Sequence, residues 1–213
     1  MIVTKWVAPE GSVVRKKRGS DFESTYSLGG KPIPNPSYYY WNKMKYRCNP
    51  DGAEQKNNPT YIGCTYQEDW EDFDGFMQWA TQQKGFLSVD ENQNVFQLDK
   101  DLLYPRNKVY GEDTCLFLPK RLNGFLISRK PVNLPVGVSY HQHTGKYQAQ
   151  VNLVGVGCGN KYLGVYTDPE AACDAYCDYK MQIAKQLALL WADHIDSRAI
   201  DALLRYNPRE YVS

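Results

Sequence analysis

The most regular stretch of the chain is Lys146-Tyr147-Gln148-Ala149-Gln150-Val151-Asn152-Leu153, in which polar and apolar residues alternate. Successive side chains of a β-strand point to opposite faces, so this pattern predicts a half-buried strand with one apolar and one amide-rich face. The segments 136–140 and 161–166 are the expected neighbouring strands, joined by turns at Thr144-Gly145 and within 155–160. The pattern predicts a three-stranded antiparallel sheet.

A helix is expected to follow this sheet. Thr167-Asp168-Pro169-Glu170 has the form of a capping box with proline near the helix start. The next residues offer a face of small and aromatic side chains for packing on the sheet, namely Ala171, Ala172, Ala175, Tyr176 and Tyr179. The helix should continue beyond Met181, and 197–206 should form a second short helix. These tail helices either pack back on the chain or form a contact in a homodimer.

Residues 134–180 resemble the ethylene-response-factor (APETALA-type) DNA-binding domain, a three-stranded sheet backed by one helix. The matching segments are Gly137-Val138, Lys146-Tyr147-Gln148-Ala149-Gln150-Val151, Leu163-Gly164-Val165-Tyr166 and the run from Thr167 to Tyr176. The resemblance implies that the outer face of the sheet lies in the major groove of double-stranded DNA. The candidate DNA-binding residues are Tyr140, His141, His143, Lys146, Gln148, Gln150, Asn152 and Lys161.

Glutamine and asparagine can bond adenine through two hydrogen bonds, and lysine can reach guanine or phosphate. This face lacks the arginines of the plant domains, so we expect modest affinity. The alternative is an ordinary solvated sheet face. His141 and His143 have no third ligand beside them, which favours phosphate or base contact over zinc.

A second informative stretch lies upstream, where Leu98-Asp99-Lys100-Asp101-Leu102-Leu103 precedes Asn123. It places a carboxylate on a short apolar strand and an amide on a following helix that Pro119 can start. Mg²⁺ is commonly held by one or two protein oxygens with water and substrate phosphate, so Asp99 and Asn123 are candidate metal ligands. Asp101 should share a strand face with Asp99 and is either a further ligand or a loop-capping acid.

Residues 38–127 resemble HNH (His-Me finger) endonucleases of tailed phages, whose pattern is W-x-x-M-x-x-R-C, Y-x-G, E-W-x-x-F-x-x-F, L-D-K/R and a late N. The matching segments are 40–48, 60–64, Glu68-Asp69-Trp70, Phe73-Asp74-Gly75-Phe76 and the stretch around Asp99. The resemblance implies that Asp99 and Asn123 hold Mg²⁺ or Mn²⁺. It places Lys100 at the general-base position that histidine usually occupies.

The lysine at this position changes the expected chemistry. The three histidines of the chain, His141, His143 and His194, all lie outside the catalytic segment. A lysine is ordinarily protonated at neutral pH, so Lys100 is expected to stabilise charge beside the scissile phosphate rather than accept a proton. The expected function is a site-specific homing endonuclease. The alternatives are a catalytically inactive, sequence-specific DNA-binding protein and a protein-interaction module that retains the fold.

Composition constrains the partners and the compartment. A net charge of +1 gives no global argument for nucleic acid, but Arg15-Lys16-Lys17-Arg18 is either a phosphate-contacting cluster or a solvated charge run. The six cysteines form no C-x-x-C pair, so reduced thiols are expected and structural zinc is not. The start of the chain lacks an apolar run, so we expect no membrane partner and a cytoplasmic protein, in the host cytoplasm if it is phage-encoded.

These patterns predict an α+β protein, in which an HNH-like strand–loop–helix nuclease module precedes a three-stranded antiparallel sheet plus helix. The expected divisions are an irregular N-terminal arm (1–37), the nuclease module (38–130), the DNA-binding module (133–180) and a helical extension (181–213). Within the nuclease module, helices are predicted over 38–48 and 68–83, and strands over 86–89 and 95–98.

Overall fold

The computed structural model describes residues 2–126, 133–154 and 156–211, and the chain divides into two compact units. The first unit contains Met1–Lys100 and Asn107–Pro119, and the second contains Asp101–Arg106 and Lys120–Ser213. Helices and small sheets occur in both units, so the predicted α+β class is confirmed. In the described part of the chain, no helix combines the length and apolar character needed to cross a membrane.

The N-terminal region forms strands where the sequence predicts an irregular arm. Strands β2 (Val13–Lys16), β3 (Glu23–Leu28) and β4 (Lys31–Ile33) make an antiparallel sheet, and β1 (Thr4–Lys5) pairs with β6 (Ser88–Val89). Gly29 and Gly30 form the two-residue turn between β3 and β4, with φ angles of 56° and 78°. Glycine adopts positive φ at little cost, so this pair closes a hairpin rather than breaking regular structure.

Three helices follow in the first unit. α1 (Pro36–Cys48) begins two residues before the predicted start at Tyr38, with the side chain of Asn35 accepting from the Ser37 backbone N–H. α2 (Ala53–Asn57) precedes a 3-10 turn at Pro59–Tyr61. The single helix predicted over 68–83 is instead a 3-10 turn (Glu68–Trp70) followed by α3 (Phe73–Ala80). The break occurs because Asp72 is extended and its side chain caps α3 by accepting from the Gly75 N–H.

The remaining strands of the first unit form two small pairs. β5 (Thr65–Tyr66) is parallel to β8 (Val109–Tyr110), and β7 (Gln97–Asp99) is antiparallel to β9 (Leu116–Leu118). Aromatic side chains fill the core around Phe117 of β9, whose ring lies 5.2 Å from that of Tyr40 and 5.6 Å from that of Trp79. This core holds the end of β7 in place.

The second unit has the predicted order of a three-stranded antiparallel sheet followed by a long helix. Its elements are α4 (Lys120–Leu126), β10 (Val138–His141), β11 (Lys146–Asn152), β12 (Asn160–Tyr166), α5 (Pro169–Trp191) and α6 (Ser197–Leu204). The strand order is β10-β11-β12, which confirms the predicted sheet. The cap of α5 is Asp168, which accepts from the Ala171 N–H, whereas the sequence indicates a capping box that starts at Thr167.

Helix α5 covers one face of this sheet. Ala149 and Val151 of β11 are buried, as are Ala172 and Tyr176 of the helix. Gly137 precedes β10 at a φ of 75°, and a Cβ atom there would lie 2.1 Å from the Tyr176 ring. Only glycine allows this approach, so it fixes how closely the helix lies on the sheet.

Candidate functional site

The end of β7 carries the first predicted metal ligand. Asp99 is the last residue of the strand, pairs with Leu116, and is only 8% exposed. The sequence predicts that the strand extends past Asp99 to Asp101, but the pairing of β7 with β9 ends at Asp99. Burial also raises the pKa of the neighbouring Cys115 thiol to about 12, so this thiol is protonated at neutral pH and is not a ready nucleophile or metal ligand.

Lys100 is held in a buried position directly after the strand. Its side chain is 4% exposed, and its Nζ donates to the Asn107 carbonyl oxygen at 2.6 Å. The same Nζ lies 5.7 Å from the centre of the Tyr110 ring, within the range of a cation–π contact. The Lys100 ammonium therefore contacts a backbone carbonyl and an aromatic ring in this structure.

Asp101 does not lie on the strand face of Asp99. β7 ends at Asp99, and Asp101 lies in the bend that follows. The alternation of side chains holds only inside a strand, so the predicted same-face placement is wrong. Asp101 also belongs to the second unit, whereas Asp99 belongs to the first.

Asn123 lies on α4, between the buried residues Leu122 and Phe125, and is itself half-buried. The helix start predicted after Pro119 is confirmed, since α4 begins at Lys120. Asn123 belongs to the second unit, so the structure places it and Asp99 in different units, although the sequence assigns both to one module.

The donor types at these two positions suit Mg²⁺, which takes carboxylate and amide oxygens and keeps part of its water shell. Over residues 2–126, 133–154 and 156–211 there is no cluster of three or more His, Cys, Asp or Glu side chains placed to hold a metal ion. Asp99 and Asn123 lie in different units, so the assignment of both to one metal centre stays a prediction from the sequence.

A second candidate surface is the sheet face that α5 leaves open. Strand register places Ser139 opposite Gln148 and His141 opposite Lys146, and places Tyr162 opposite Gln150. The side chains on this outer face are Ser139, His141, Lys146, Gln148, Gln150, Asn152, Asn160, Tyr162 and Val165. The amide groups of Gln148 and Gln150 are joined by a hydrogen bond of 3.3 Å. The outer face is thus rich in amides and also carries one serine, one histidine, one lysine, one tyrosine and one valine.

Two predicted DNA-binding residues lie on the other face. Tyr140 pairs with Tyr147, and their ring centres are 5.7 Å apart, on the side of the buried Ala149. Lys161 pairs with Val151, and its Nζ lies 4.8 Å above the ring of Tyr179 on α5. The predicted placement of both beside the amides is wrong, because strand alternation turns them toward the helix side.

The two histidines occupy the end of β10 and its turn. β10 ends at His141, whose Nδ1 is 2.9 Å from the Thr144 hydroxyl oxygen, and His143 lies in the turn. Their ring centres are 5.9 Å apart. Because β10 ends at His141, the two histidines are not alternate residues of one strand.

The basic cluster lies on the N-terminal sheet. Arg15 and Lys16 end strand β2, and Lys17 and Arg18 follow in the turn. All four side chains are exposed, and the Nζ of Lys17 lies 5.7 Å from the centre of the Trp41 ring. The cluster is therefore presented by a sheet and not by an irregular arm.

Two residues of these sites are missing from the sequence-based set. Asn107 donates from Nδ2 to the Lys100 carbonyl oxygen, at 2.9 Å, and so closes the loop around Lys100. Tyr162 is 59% exposed on the amide face. Alternation along 161–166 was the available signal for Tyr162, but a bulge opposite Ala149 and Gln150 shifts the register, so the sequence alone does not decide its face.

Comparison with known proteins leaves the resemblances as hypotheses that depend on the quoted motifs. No protein-family model, no curated protein and no solved structure matches the chain.

Proposed function

We propose that the protein is a metal-dependent, site-specific DNA endonuclease that reads double-stranded DNA with the outer face of the β10–β12 sheet. The observation that carries the recognition half is the row of polar side chains along β11. Lys146, Gln150 and Asn152 are exposed and Gln148 is half-buried, and the exposed Tyr162 lies opposite Gln150 on β12. The nuclease half rests on the resemblance of residues 38–127 to HNH endonucleases.

The spacing of the row supports base reading. Alternate residues of a strand are about 6.7 Å apart, which is close to the rise of two base pairs. Gln148, Gln150 and Asn152 can therefore follow one strand of bases, and their amides can bond adenine through two hydrogen bonds. Lys146 adds a phosphate or guanine contact at the end of the row.

In the proposed reaction, Asp99 and Asn123 would hold Mg²⁺ or Mn²⁺. The ion would supply positive charge at the attacked phosphate and acidify a water molecule. Lys100 would add fixed positive charge, and Asn107 would hold its ammonium in place. A buried, oriented cation requires no reorganisation when charge develops, so it is suited to stabilising a transition state.

The second candidate is a sequence-specific DNA-binding protein without catalysis. The placement of Lys100 favours it, because an ammonium that is 4% exposed and donates to a carbonyl already has a structural role. For Lys100 to act as a general base or to contact a phosphate, the loop around Asn107 would first have to open.

Cleavage and binding assays on the same DNA separate the two candidates. A random-sequence duplex library selected on the full chain supplies the cognate site, and nicking of a plasmid carrying it is followed with Mg²⁺ and with Mn²⁺. We expect wild type to cut, and expect Asp99→Ala and Asn123→Ala to bind but not cut. Asp113→Ala, which removes an exposed carboxylate from the first unit, is the matched control.

Wild type that binds the selected site tightly but never cuts, with either metal, would establish the second candidate. For recognition, Gln148→Ala combined with Gln150→Ala should reduce the preference for the cognate site more than it weakens binding to random DNA. Equal loss on both DNAs would contradict base reading by this face.

A further inference from the structure

Arg47 occupies the last turn of α1 and forms two contacts with tyrosines of the first unit. Its Cζ lies 4.9 Å from the centre of the Tyr61 ring, and its Nη1 donates to the Tyr110 hydroxyl at 3.3 Å. Tyr110 also lies beside Lys100, whose Nζ is 5.7 Å from the ring centre. One phenol therefore contacts both cations, Arg47 through its hydroxyl and Lys100 through its ring.

The hydrogen-bonding capacity of Arg47 is not filled. Within the described part of the chain, its buried Nε has no hydrogen-bond acceptor. A buried donor without an acceptor is destabilising, and native proteins keep few of them. An arginine presents its N–H groups as a rigid fork that matches two oxygens of a phosphate. A phosphate oxygen would supply the acceptor that Nε lacks.

The charge around Arg47 also favours an anion. Burial raises the pKa of the Cys48 thiol to about 12, and the positive charges of Lys45, Arg47 and Lys100 oppose this rise. The Glu54 carboxylate interacts electrostatically with Arg47, but it is already ion-paired with Lys43. Among the described residues, Arg47 itself forms no ion pair, so its charge is not cancelled by a bound carboxylate.

Accessibility separates the two cations. Lys100 is almost fully buried, whereas Arg47 keeps intermediate exposure and lies next to the exposed turn of Pro59–Tyr61. A DNA strand can reach Arg47 with a smaller rearrangement than Lys100 requires.

We propose that Arg47, and not Lys100, is the cation beside Tyr110 that contacts a DNA backbone phosphate. Lys100 then does not touch the backbone phosphate: its fixed charge acts from a distance, and its contacts order Tyr110 and the loop around Asn107. This inference rests on the proposed DNA-directed function and assigns the phosphate contact within it.

The salt dependence of binding tests this assignment on the full chain. Affinity for a fixed 30-base-pair duplex is measured over a range of KCl concentrations for wild type, Arg47→Met, Arg47→Lys and Lys56→Met. Each phosphate contact contributes about 0.9 to the slope of log K against log salt, so Arg47→Met should reduce the slope by about 1. Arg47→Lys should keep the slope but bind more weakly, because lysine lacks the planar fork.

Lys56→Met is the matched control, since it removes one exposed cation from the neighbouring helix α2. It should leave the slope unchanged. A slope for Arg47→Met equal to that of wild type, while wild type keeps a steep slope, would overturn the assignment and leave DNA binding intact. A wild type that binds but does not cut would count against the nuclease and not against Arg47.

A measurement on wild type covers the case in which Arg47→Met does not fold. The buried Arg47 Nε–H should give an observable ¹⁵N–¹H resonance that shifts on addition of the duplex, because Nε gains an acceptor. An unchanged Nε–H resonance at saturating duplex would overturn the proposal without any substitution at position 47.

Discussion

Lys100 and Asn107 each bond the backbone carbonyl of the other. Lys100 Nζ donates to the Asn107 oxygen at 2.6 Å, and Asn107 Nδ2 donates to the Lys100 oxygen at 2.9 Å. These bonds join the two points at which the chain leaves and re-enters the first unit. Asn107 also bonds the backbone of Val109, at its N–H and at its carbonyl. A single amide thus fixes the start of β8 and the position of Lys100.

Loss of the Asn107 amide should destabilise this loop. Asn107→Ala leaves partly buried carbonyl and N–H groups without their partner, and we expect the free energy of unfolding to fall by about 1–3 kcal/mol. Urea denaturation measures the change. Asn92→Ala is the control, because its exposed side chain forms no hydrogen bond in the described part of the chain, and its midpoint should match wild type. Equal midpoints for both variants would contradict the proposed role of Asn107.

Two exposed tyrosines on the two outer strands of the β10–β12 sheet provide a test of which sheet face binds DNA. Tyr162 lies on the amide face with 59% exposure, and Tyr140 lies on the opposite face with 53% exposure. Tyr162→Ala should weaken binding of the cognate duplex about tenfold, as expected for an exposed aromatic side chain at an interface core. Tyr140→Ala should bind as wild type does in fluorescence anisotropy. The reverse order would show that the helix-side face carries the contact.

The approach of Gly137 to the Tyr176 ring should make this glycine irreplaceable. Gly137→Ala combines a positive φ with a Cβ placed 2.1 Å from the ring, and we expect a loss of about 2–5 kcal/mol in unfolding free energy. Gly145→Ala has a similar φ of 66°, but its nearest contact is the Tyr140 hydroxyl at 3.7 Å. The control should lose only about 1 kcal/mol, the conformational part. Similar losses in urea denaturation would refute the steric explanation.

The buried Lys180 should make stability depend on pH in the alkaline range. This side chain is 3% exposed, and its Nζ lies 4.9 Å from the Phe125 ring centre and 5.7 Å from that of Tyr176. Burial lowers the pKa of Lys180 from 10.5 to about 8, while Cys177 acts in the opposite direction. Between these two values the unfolded chain holds a proton that the folded protein has lost, so unfolding free energy rises with pH.

We therefore expect wild type to gain up to about 3 kcal/mol relative to Lys180→Met as the pH rises from about 8 to 10.5. The stabilisation is present above the unfolded pKa and is lost as the pH falls through the folded value. The difference between the two proteins removes the contribution of other tyrosines, cysteines and lysines that titrate in the same range. A difference that does not change with pH would show that Lys180 keeps its ordinary pKa.

Local patterns were sufficient for several parts of the fold. The alternation in 146–153 predicts β11 and its two faces, and Pro119 and Pro169 mark the starts of α4 and α5, which the structure confirms. These signals are local because strand alternation and helix capping depend on residues that are adjacent in the chain.

The sites depended on information that adjacent residues do not carry. Strand register turned Tyr140 away from the amide row. A bulge in the pairing of β11 with β12, which no residue type announces, turned Lys161 away from the row and brought Tyr162 onto it. The end of pairing between β7 and β9 removed Asp101 from the face of Asp99.

The sequence by itself determined the α+β class, the sheet-plus-helix order of the second unit and the candidate side chains, since periodicity, capping and residue chemistry are written in the chain. Only the tertiary structure decided that Lys100 is buried against Asn107 and that Arg47 and Lys100 share Tyr110. Those contacts join residues distant in the chain, and packing selects them through burial and hydrogen-bond satisfaction that no local pattern encodes.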